Sequence, residues 1–321
     1  MRTHNCNMLR AEDEGKTVRL EGWLQSVRDM GFVVFAVLRD FYGVTQITVS
    51  DEALKAQLRE IPRESTIAVE GKVVLRSSPN PNLPTGLIEV EPTYIEILGK
   101  CYEQLPFEIT NSLQSREDTR LKYRFLDLRN PAVKEKIVLR SKIISAIRAK
   151  MVERGFLEIT TPILTSSSPE GARDYIVPSR VHPGKFYALP QAPQIFKQIL
   201  MTAGFDRYFQ VAPCFRDEDA RADRSPGEFY QLDMELAFAS QEDVFAELEH
   251  VLPEIFRKFS DWKIAEVPFP RIPYKVAMDR YGSDKPDLRN PLVITDITEA
   301  LSNCTFPDFA EKEVCRVQKA D

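Results

Sequence analysis

The sequence predicts two domains of different class: a small all-β barrel, then an α+β domain built on an antiparallel sheet with helices. Three observations carry this. Alternating apolar runs broken by turns fill Thr17 to about Leu98, one long amphipathic helical pattern runs from Pro131 to Gly155, and strand-like and helical segments mix from there to Ser260. With 321 residues, 43% of them hydrophobic and 28% charged, the chain is long enough for roughly two ordinary cores.

The barrel rests on five runs, TVRLEGWLQSV, GFVVFAVLRD, VTQITVS, STIAVEGKVVLRSS and GLIEVEPTYIEIL, with a helical insert, EALKAQLREI, after the third. Five such strands fit a barrel of the OB type, a fold that often binds single-stranded nucleic acid. The Pro- and Asn-rich SSPNPNLPTG reads as the loop between the last two strands. This sets the first domain at 1–104. LPFEITN carries little periodicity and reads as part of a hinge at 105–118, and SREDTRLKYRFLDLRNP begins a charged, helical entry to the second domain at 119–285.

In that domain PAVKEKIVLRSKIISAIRAKMVERGF places Val133, Ile137, Val138, Ile143, Ile144 and Ile147 on roughly one helical face and ends at Gly155. FLEITTPILT reads as a strand interrupted by Pro162, which suits an edge or interface. Strand-like KFYALP, helical APQIFKQILMTAGF, strand-like RYFQVAPCFRDED and EFYQLDMELAF, and helical QEDVFAELEHVLPEIFRKFS complete the pattern.

Composition narrows the function classes. A net charge of −5 argues against wholesale coating of nucleic acid but leaves a local basic face open. The five cysteines are scattered, with no CxxC pair and no His at ligand spacing, which predicts reduced thiols in a cytoplasmic protein. The N-terminus lacks an apolar signal core, and the longest strongly apolar run, FVVFAVL, is too short to cross a bilayer. Neither a membrane segment nor a secretion signal is expected.

The densest chemistry lies in FRDEDARADRSPGEFYQLDMEL, residues Phe215 to Leu236, which holds four Asp, three Glu and three Arg. It reads as an antiparallel hairpin with a long polar loop. Period-two spacing puts Arg216 and Glu218 on one face, and Gln231, Asp233 and Glu235 on one face of the partner strand. Such a face is either a binding surface or a solvated face of cross-strand ion pairs, and spacing leaves both open.

This stretch resembles motif 2 of class II aminoacyl-tRNA synthetases, and GFLEITTPILT resembles their motif 1, the proline-bearing strand at a dimer interface. TSSSPEGARDYIVPSR, KFYALPQAPQIFKQILMTAGFDRYFQVAPCF and YGSDKPDLRNP extend the similarity to the bacterial-type aspartyl-tRNA synthetase family in particular, over essentially the whole chain. The resemblance implies an OB-fold anticodon-binding domain, a class II catalytic domain and, at 286–321, the beginning of the domain that bacterial members insert. It implies ATP-dependent, two-step attachment of L-aspartate to tRNA through an aspartyl-adenylate, with magnesium carried by the phosphates and no metal ligands within this chain. Both substrates are anionic or zwitterionic, which would account for the mixed charge of the Phe215 to Leu236 hairpin.

On the matching positions, the resemblance makes Arg216 the catalytic residue, touching the α-phosphate and the substrate carboxylate where charge develops. Asp217, Glu218, Phe229 and Gln231 fall to ATP, with Glu218 on the adenine amino group and Phe229 stacked on the ring. Glu170, Gln194, Lys197 and Asp233, with Arg216, fall to aspartate. By spacing alone, Lys197 in QIFKQIL is an ordinary exposed helix lysine. Arg221 and Arg224 fall to the tRNA acceptor end or the phosphates, or form an exposed charged loop. Arg28, Phe35 and Gln46 fall to the anticodon, although Phe35 also suits the barrel core and the other two an ordinary surface. Pro162 marks a homodimer interface.

The family's third motif, a late glycine-bearing segment whose arginine contacts ATP, has no counterpart here. GFDRYF precedes motif 2, and AMDRYG lacks the glycine. The resemblance therefore implies a truncated catalytic domain, inactive in adenylation by itself. A non-catalytic tRNA-binding paralogue and a relaxed enzyme charging both aspartate and asparagine tRNAs remain as alternatives.

Overall fold

The computed structural model describes residues 1–168, 170–219, 227–301, 305 and 316–319. They fall into two compact units, Met1–Asp127 and Leu128–Asp321.

In the first unit, β1 (Thr17–Asp29), β2 (Val34–Arg39), β3 (Val44–Val49), β4 (Thr66–Leu75) and β5 (Ile88–Gly99) close a barrel in the order β1-β2-β3-β5-β4. Every junction is antiparallel except β3 to β5, where Ile47 pairs with Val90. Alternation drives the closure: Val18, Leu20, Val34, Ala36, Leu38, Ile47 and Val49 all point into one core. Gly71 sits where β4 meets β5 so closely that a Cβ would lie 2.2 Å from the Glu91 carbonyl oxygen. The expected helical insert is α1 (Glu52–Arg59), capped by Asp51, whose carboxylate accepts from the Leu54 amide.

The segment expected as a hinge carries a 3-10 helix over Ile109–Gln114, followed by α2 (Glu117–Lys122) and α3 (Arg124–Asp127). Phe107, Ile109 and Leu126 gather into a small cluster with Leu105 and Tyr123 beside them. Under it the buried Asp127 carboxylate accepts from Ser112, Arg120 and Arg124.

The second unit opens with α4 (Pro131–Glu153), started by Asn130 and by Pro131 in its first turn, and stopped at Gly155 with φ +80°. Next come β6 (Leu157–Glu158), β7 (Ile176–Pro178), β8 (Phe186–Ala188), α5 (Gln194–Thr202), β9 (Arg207–Phe215) and β10 (Glu228–Leu236). The unit continues through α6 (Gln241–Phe259), α7 (Tyr274–Tyr281), β11 (Val293–Asp296) and β12 (Arg316–Lys319). The main sheet has the order β10-β9-β6, while β7 and β8, and β11 and β12, form separate two-stranded pairs. Met151, Phe156, Phe209 and Val251 form its core, with Leu232, Met234 and Leu236 against them.

Three local expectations change. The strand around Pro162 is only two residues long and runs parallel to β9; it stops at Glu158, and Pro162, which has no N–H to give a ladder, lies exposed beyond it. The apolar stripe of α4 is not buried as one face, because Ile137 remains 49% exposed while Val133 and Met151 are buried. Arg216 and Glu218 lie just past the end of β9. The ladder runs one bond further, from the Arg216 amide to the Gly227 carbonyl, before Glu218 turns back to bond the Arg216 carbonyl.

The ends of α4 and β9 are tied to α6 by Glu247, a buried carboxylate held by Arg154 at 2.7 Å and Arg207 at 2.8 Å. The Arg154 hydrogen bond above all, helped by Arg207 and opposed by burial, holds its carboxyl below the usual glutamate range. A depressed folded pKa means that this stabilisation is complete above the unfolded value and is lost as pH falls through the folded one. Thermal unfolding of Glu247→Gln should therefore show a loss of about 2 kcal/mol near neutral pH. Below about pH 5 wild type should lose stability faster than the variant until the two curves meet.

Candidate functional site

The β9–β10 hairpin has two chemically opposite faces. Its register pairs Phe209 with Met234 and Val211 with Leu232 on the side that meets the core. The other side pairs Tyr208 with Glu235, Gln210 with Asp233, Ala212 with Gln231 and Cys214 with Phe229. Over this polar side lies α5, and Lys197 reaches down from it.

Asp233 is 2% exposed. Its Oδ1 accepts from Lys197 Nζ at 2.9 Å and from Gln231 Nε2 at 3.0 Å, and Glu235 stands 3.4 Å from the same ammonium. Burial works against the Lys197 charge, but the hydrogen bond and charge of Asp233, with Glu235 behind, outweigh it and raise the ammonium above the ordinary lysine range. Lys197 is thus a largely buried, paired cation, and the exposed-lysine alternative does not hold.

Among the described residues, two buried atoms on this face make no hydrogen bond of good geometry, Asp233 Oδ2 and the Tyr208 hydroxyl, although the phenol lies close enough to Asp233 and Gln210 to interact with both. Burial and then the charge of Asp233 push the Tyr208 phenol far up, so it stays a neutral donor. Burial also raises the Cys214 thiol. Unmatched buried polar atoms of this kind cost about 1–3 kcal/mol each unless a ligand meets them.

The remaining predicted residues divide. Gln194 opens α5 one turn before Lys197. Phe229 and Gln231 project from β10 on the Asp233 side, and the Arg216 guanidinium lies 4.9 Å from the centre of the Phe229 ring. Asp217 bridges to Arg173, accepting from its Nε at 3.0 Å through the main-chain oxygen. Glu218 is exposed beside them. Glu170 is exposed as well, and among the described residues its carboxylate is engaged by Ser168 in its own loop. Arg221 and Arg224 lie outside the described residues. Among the described residues no three His, Cys, Asp or Glu side chains stand together as a metal-binding group, and no helix is long and apolar enough to cross a membrane.

A second constellation forms on the outside of the barrel. Ser26, Val37 and Gln46 stand in one register column across β1, β2 and β3, and Arg28 and Phe35 in the next. Phe35 is half-buried on the outer face, while its neighbours Val34 and Ala36 fill the core, so the core alternative for Phe35 does not hold. These side chains line a cavity of about 370 Å³ with Arg76 and Glu89. Gln46 is fixed from both ends: Arg76 donates to its Oε1 at 2.8 Å, and its Nε2 donates to Glu89 at 2.7 Å.

Arg76, Glu89, Tyr208 and Gln210 were not singled out from the sequence. Period-two counting within β9, once paired to β10, would have found Tyr208 and Gln210. Arg76 and Glu89 meet Gln46 only through barrel closure, which no local pattern encodes.

Comparison with known proteins gives the family of each part of the chain. The family described as tRNA synthetases class II (D, K and N) matches residues 116–314, and an OB-fold nucleic acid binding domain matches 18–98. The chain is 57% identical over 317 residues to an aspartate–tRNA(Asp/Asn) ligase of Gluconobacter oxydans, covering 97% of this chain and 52% of that protein. It is 55% identical over 317 residues to an aspartate–tRNA ligase of Streptomyces coelicolor, covering 98% and 54%. The chain thus spans about half the length of the curated relatives it matches.

Among solved structures it is similar to asparaginyl-tRNA synthetase from Pyrococcus horikoshii complexed with asparaginyl-adenylate, with a TM-score of 0.74 and 26% identity over 86% of this chain and 66% of that one. A putative aspartyl-tRNA synthetase from Leishmania major gives a TM-score of 0.72 and 26% identity over 80% and 53%. With an OB barrel ahead of a class II core matched over more than half its length, the chain belongs to the class II tRNA synthetases of the D, K and N group.

Proposed function

We propose that this chain supplies the aspartate, ATP and anticodon recognition of an aspartate–tRNA ligase. The observation that carries this reading is the Lys197–Asp233 pair on the polar hairpin face, with one carboxylate oxygen left over. An ammonium has three donors; among the described residues Asp233 and Glu235 account for two, which leaves a third for a substrate side-chain carboxylate. Asp233 Oδ2, buried and unmatched, suits the substrate α-ammonium. Asparagine would offer a neutral amide to the cation, which is the poorer partner.

In the reaction the aspartate α-carboxylate oxygen bonds to the α-phosphorus of ATP as the bond to pyrophosphate breaks. A terminal ribose hydroxyl of tRNA then takes the acyl group, and AMP leaves. Arg216 would bind the charge that develops on the α-phosphate, with Phe229 stacking the adenine and Asp217, Glu218 and Gln231 around the nucleotide. Glu170 and Gln194 would complete the amino-acid pocket. Magnesium would arrive with the ATP phosphates and neutralise their charge.

The outer barrel cavity, with Arg28, Phe35 and Gln46, would take unpaired anticodon bases by stacking and edge hydrogen bonds. Some relatives are ligases for both aspartate and asparagine tRNAs, which supports relaxed tRNA choice as a second reading. A homodimer would cover the apolar groove of about 370 Å³ formed by α4 and the hairpin, lined by Leu139, Ile143, Ile144, Ile147 and Leu232.

Calorimetric titration with a non-hydrolysable aspartyl-adenylate analogue tests the pocket. Wild type should prefer it to the asparaginyl analogue, and Lys197→Met should lose about a hundredfold in affinity together with that preference. No binding by wild type would overturn the reading. For the barrel, Arg28→Ala should flatten the salt dependence of tRNA binding by about one unit of slope, and Gln46→Ala should weaken binding about tenfold and relax loop-sequence preference. Light scattering should report a dimer for wild type and a monomer for Ile143→Glu; a monomeric wild type would remove the dimer from the proposal.

A further inference from the structure

Tyr208 carries a hydroxyl that the packing of the second unit does not call for. The residue sits on β9, is fully buried, and ranks among the largest such side chains. A phenyl ring would fill the same space, and among the described residues the phenol oxygen makes no hydrogen bond of good geometry. An unaligned hydroxyl in the interior opposes folding, so phenylalanine would serve the core better.

What surrounds the hydroxyl is the polar face of the hairpin. It lies close enough to Asp233 and Gln210 to interact with both, and those two residues are paired across β9 and β10. Gln210 is buried too, and its Nε2 donates to Thr161 Oγ1 at 2.7 Å, past the end of β6. That bond anchors Gln210 behind the phenol. Asp233 is anchored at one oxygen: Lys197 and Gln231 both donate to Oδ1, at 2.9 and 3.0 Å, while Oδ2 makes no aligned bond among the described residues.

Tyr208 has no exposed surface, so it acts on a ligand only through its neighbours. Burial and the charge of Asp233 keep the proton on the phenol oxygen, which makes it a donor beside a carboxylate and not a second anion. A carboxylate oxygen accepts two hydrogen bonds, so Oδ2 has room for the phenol and for an incoming cationic donor together. Hydrogen bonds of an empty site are often poorly aligned and tighten when the ligand arrives.

We infer that Tyr208 is a positioning residue of the amino-acid site: its hydroxyl, backed by Gln210, donates to Asp233 and holds the second carboxylate oxygen toward the α-ammonium of the bound amino acid. This assignment rests on the aspartate reading above. Lys197 answers the substrate side chain and Tyr208 the amino group, so the two roles separate when the ligand is changed.

The test is calorimetric titration of the full chain with two non-hydrolysable adenylate analogues, one aspartyl and one succinyl, which differ only in the α-ammonium; the weaker ligand is read by displacement of it with the tighter. Tyr208→Phe should bind the aspartyl analogue about tenfold more weakly than wild type does, and the succinyl analogue within about twofold. It should unfold at the wild-type temperature or above, because it removes an unaligned buried hydroxyl. Lys197→Met should weaken both analogues, since both keep the side-chain carboxylate.

A hydroxyl that merely supports the fold would weaken both analogues alike or lower the unfolding temperature of Tyr208→Phe, and either result overturns the positioning role. So does a Tyr208→Phe chain that binds both analogues as wild type does; weakened binding by Lys197→Met would then leave the aspartate reading standing. A wild-type chain that binds neither analogue overturns both this inference and that reading.

Discussion

A carboxylate buried on a sheet cannot stay charged without a cation, and the pairing of Asp233 with Lys197 is the constraint around which the second unit is arranged. Desolvating either ion alone costs several kcal/mol, so each requires the other. That requirement places α5 over the hairpin and orients Gln231, which donates to the same carboxylate oxygen. It also dictates the opposite face. Because side chains alternate along β9 and β10, every polar residue committed to the site leaves a neighbour for the core, and Phe209, Val211, Leu232 and Met234 fill that role against α4 and α6.

The barrel uses the same period-two rule with curvature added. Val34 and Ala36 enter the core as Phe35 stays outside, and Thr45 and Ile47 enter as Gln46 stays outside. Residues far apart in sequence, such as Ser26, Gln46, Arg76 and Glu89, then share one outer patch. Both candidate sites are therefore the polar remainder of strands whose alternate residues build a core.

This explains what was legible in the sequence. Strand alternation, the Asp51 and Asn130 caps and the Gly155 stop are local signals, and all five barrel strands, α1, α4, α5 and α6 follow from them. The polar face of β10 was legible for the same reason, since Gln231, Asp233 and Glu235 differ by two. The burial of Lys197 and Lys55 was not, because a lysine on a short helix reads as solvated until the element beneath it is known. The short β6 and the exposed Ile137 failed in the opposite sense. Pattern there promised a longer strand and one covered face, but β6 stops at Glu158, ahead of Pro162, although β9 runs on to Phe215, and a helix is covered only where something packs on it.

The two sites handle their polar groups differently, and the difference bears on selectivity. In the proposed hairpin pocket, one carboxylate oxygen and one phenol make no well-aligned hydrogen bond among the described residues, so a ligand with a correctly placed donor and acceptor would remove a standing cost as it binds. In the barrel cavity the Gln46 amide is oriented from both ends: its oxygen accepts from Arg76 and its nitrogen donates to Glu89. Each bond takes one of the two positions that the oxygen and the nitrogen offer, so an acceptor lone pair and an N–H of fixed direction stand beside them. A base edge that matches that donor and acceptor pattern would be met without breaking either bond, whereas a mismatched one would desolvate the amide uncompensated. The proposed hairpin pocket would thus select through buried polar atoms, and the proposed barrel cavity through an amide whose orientation its neighbours set.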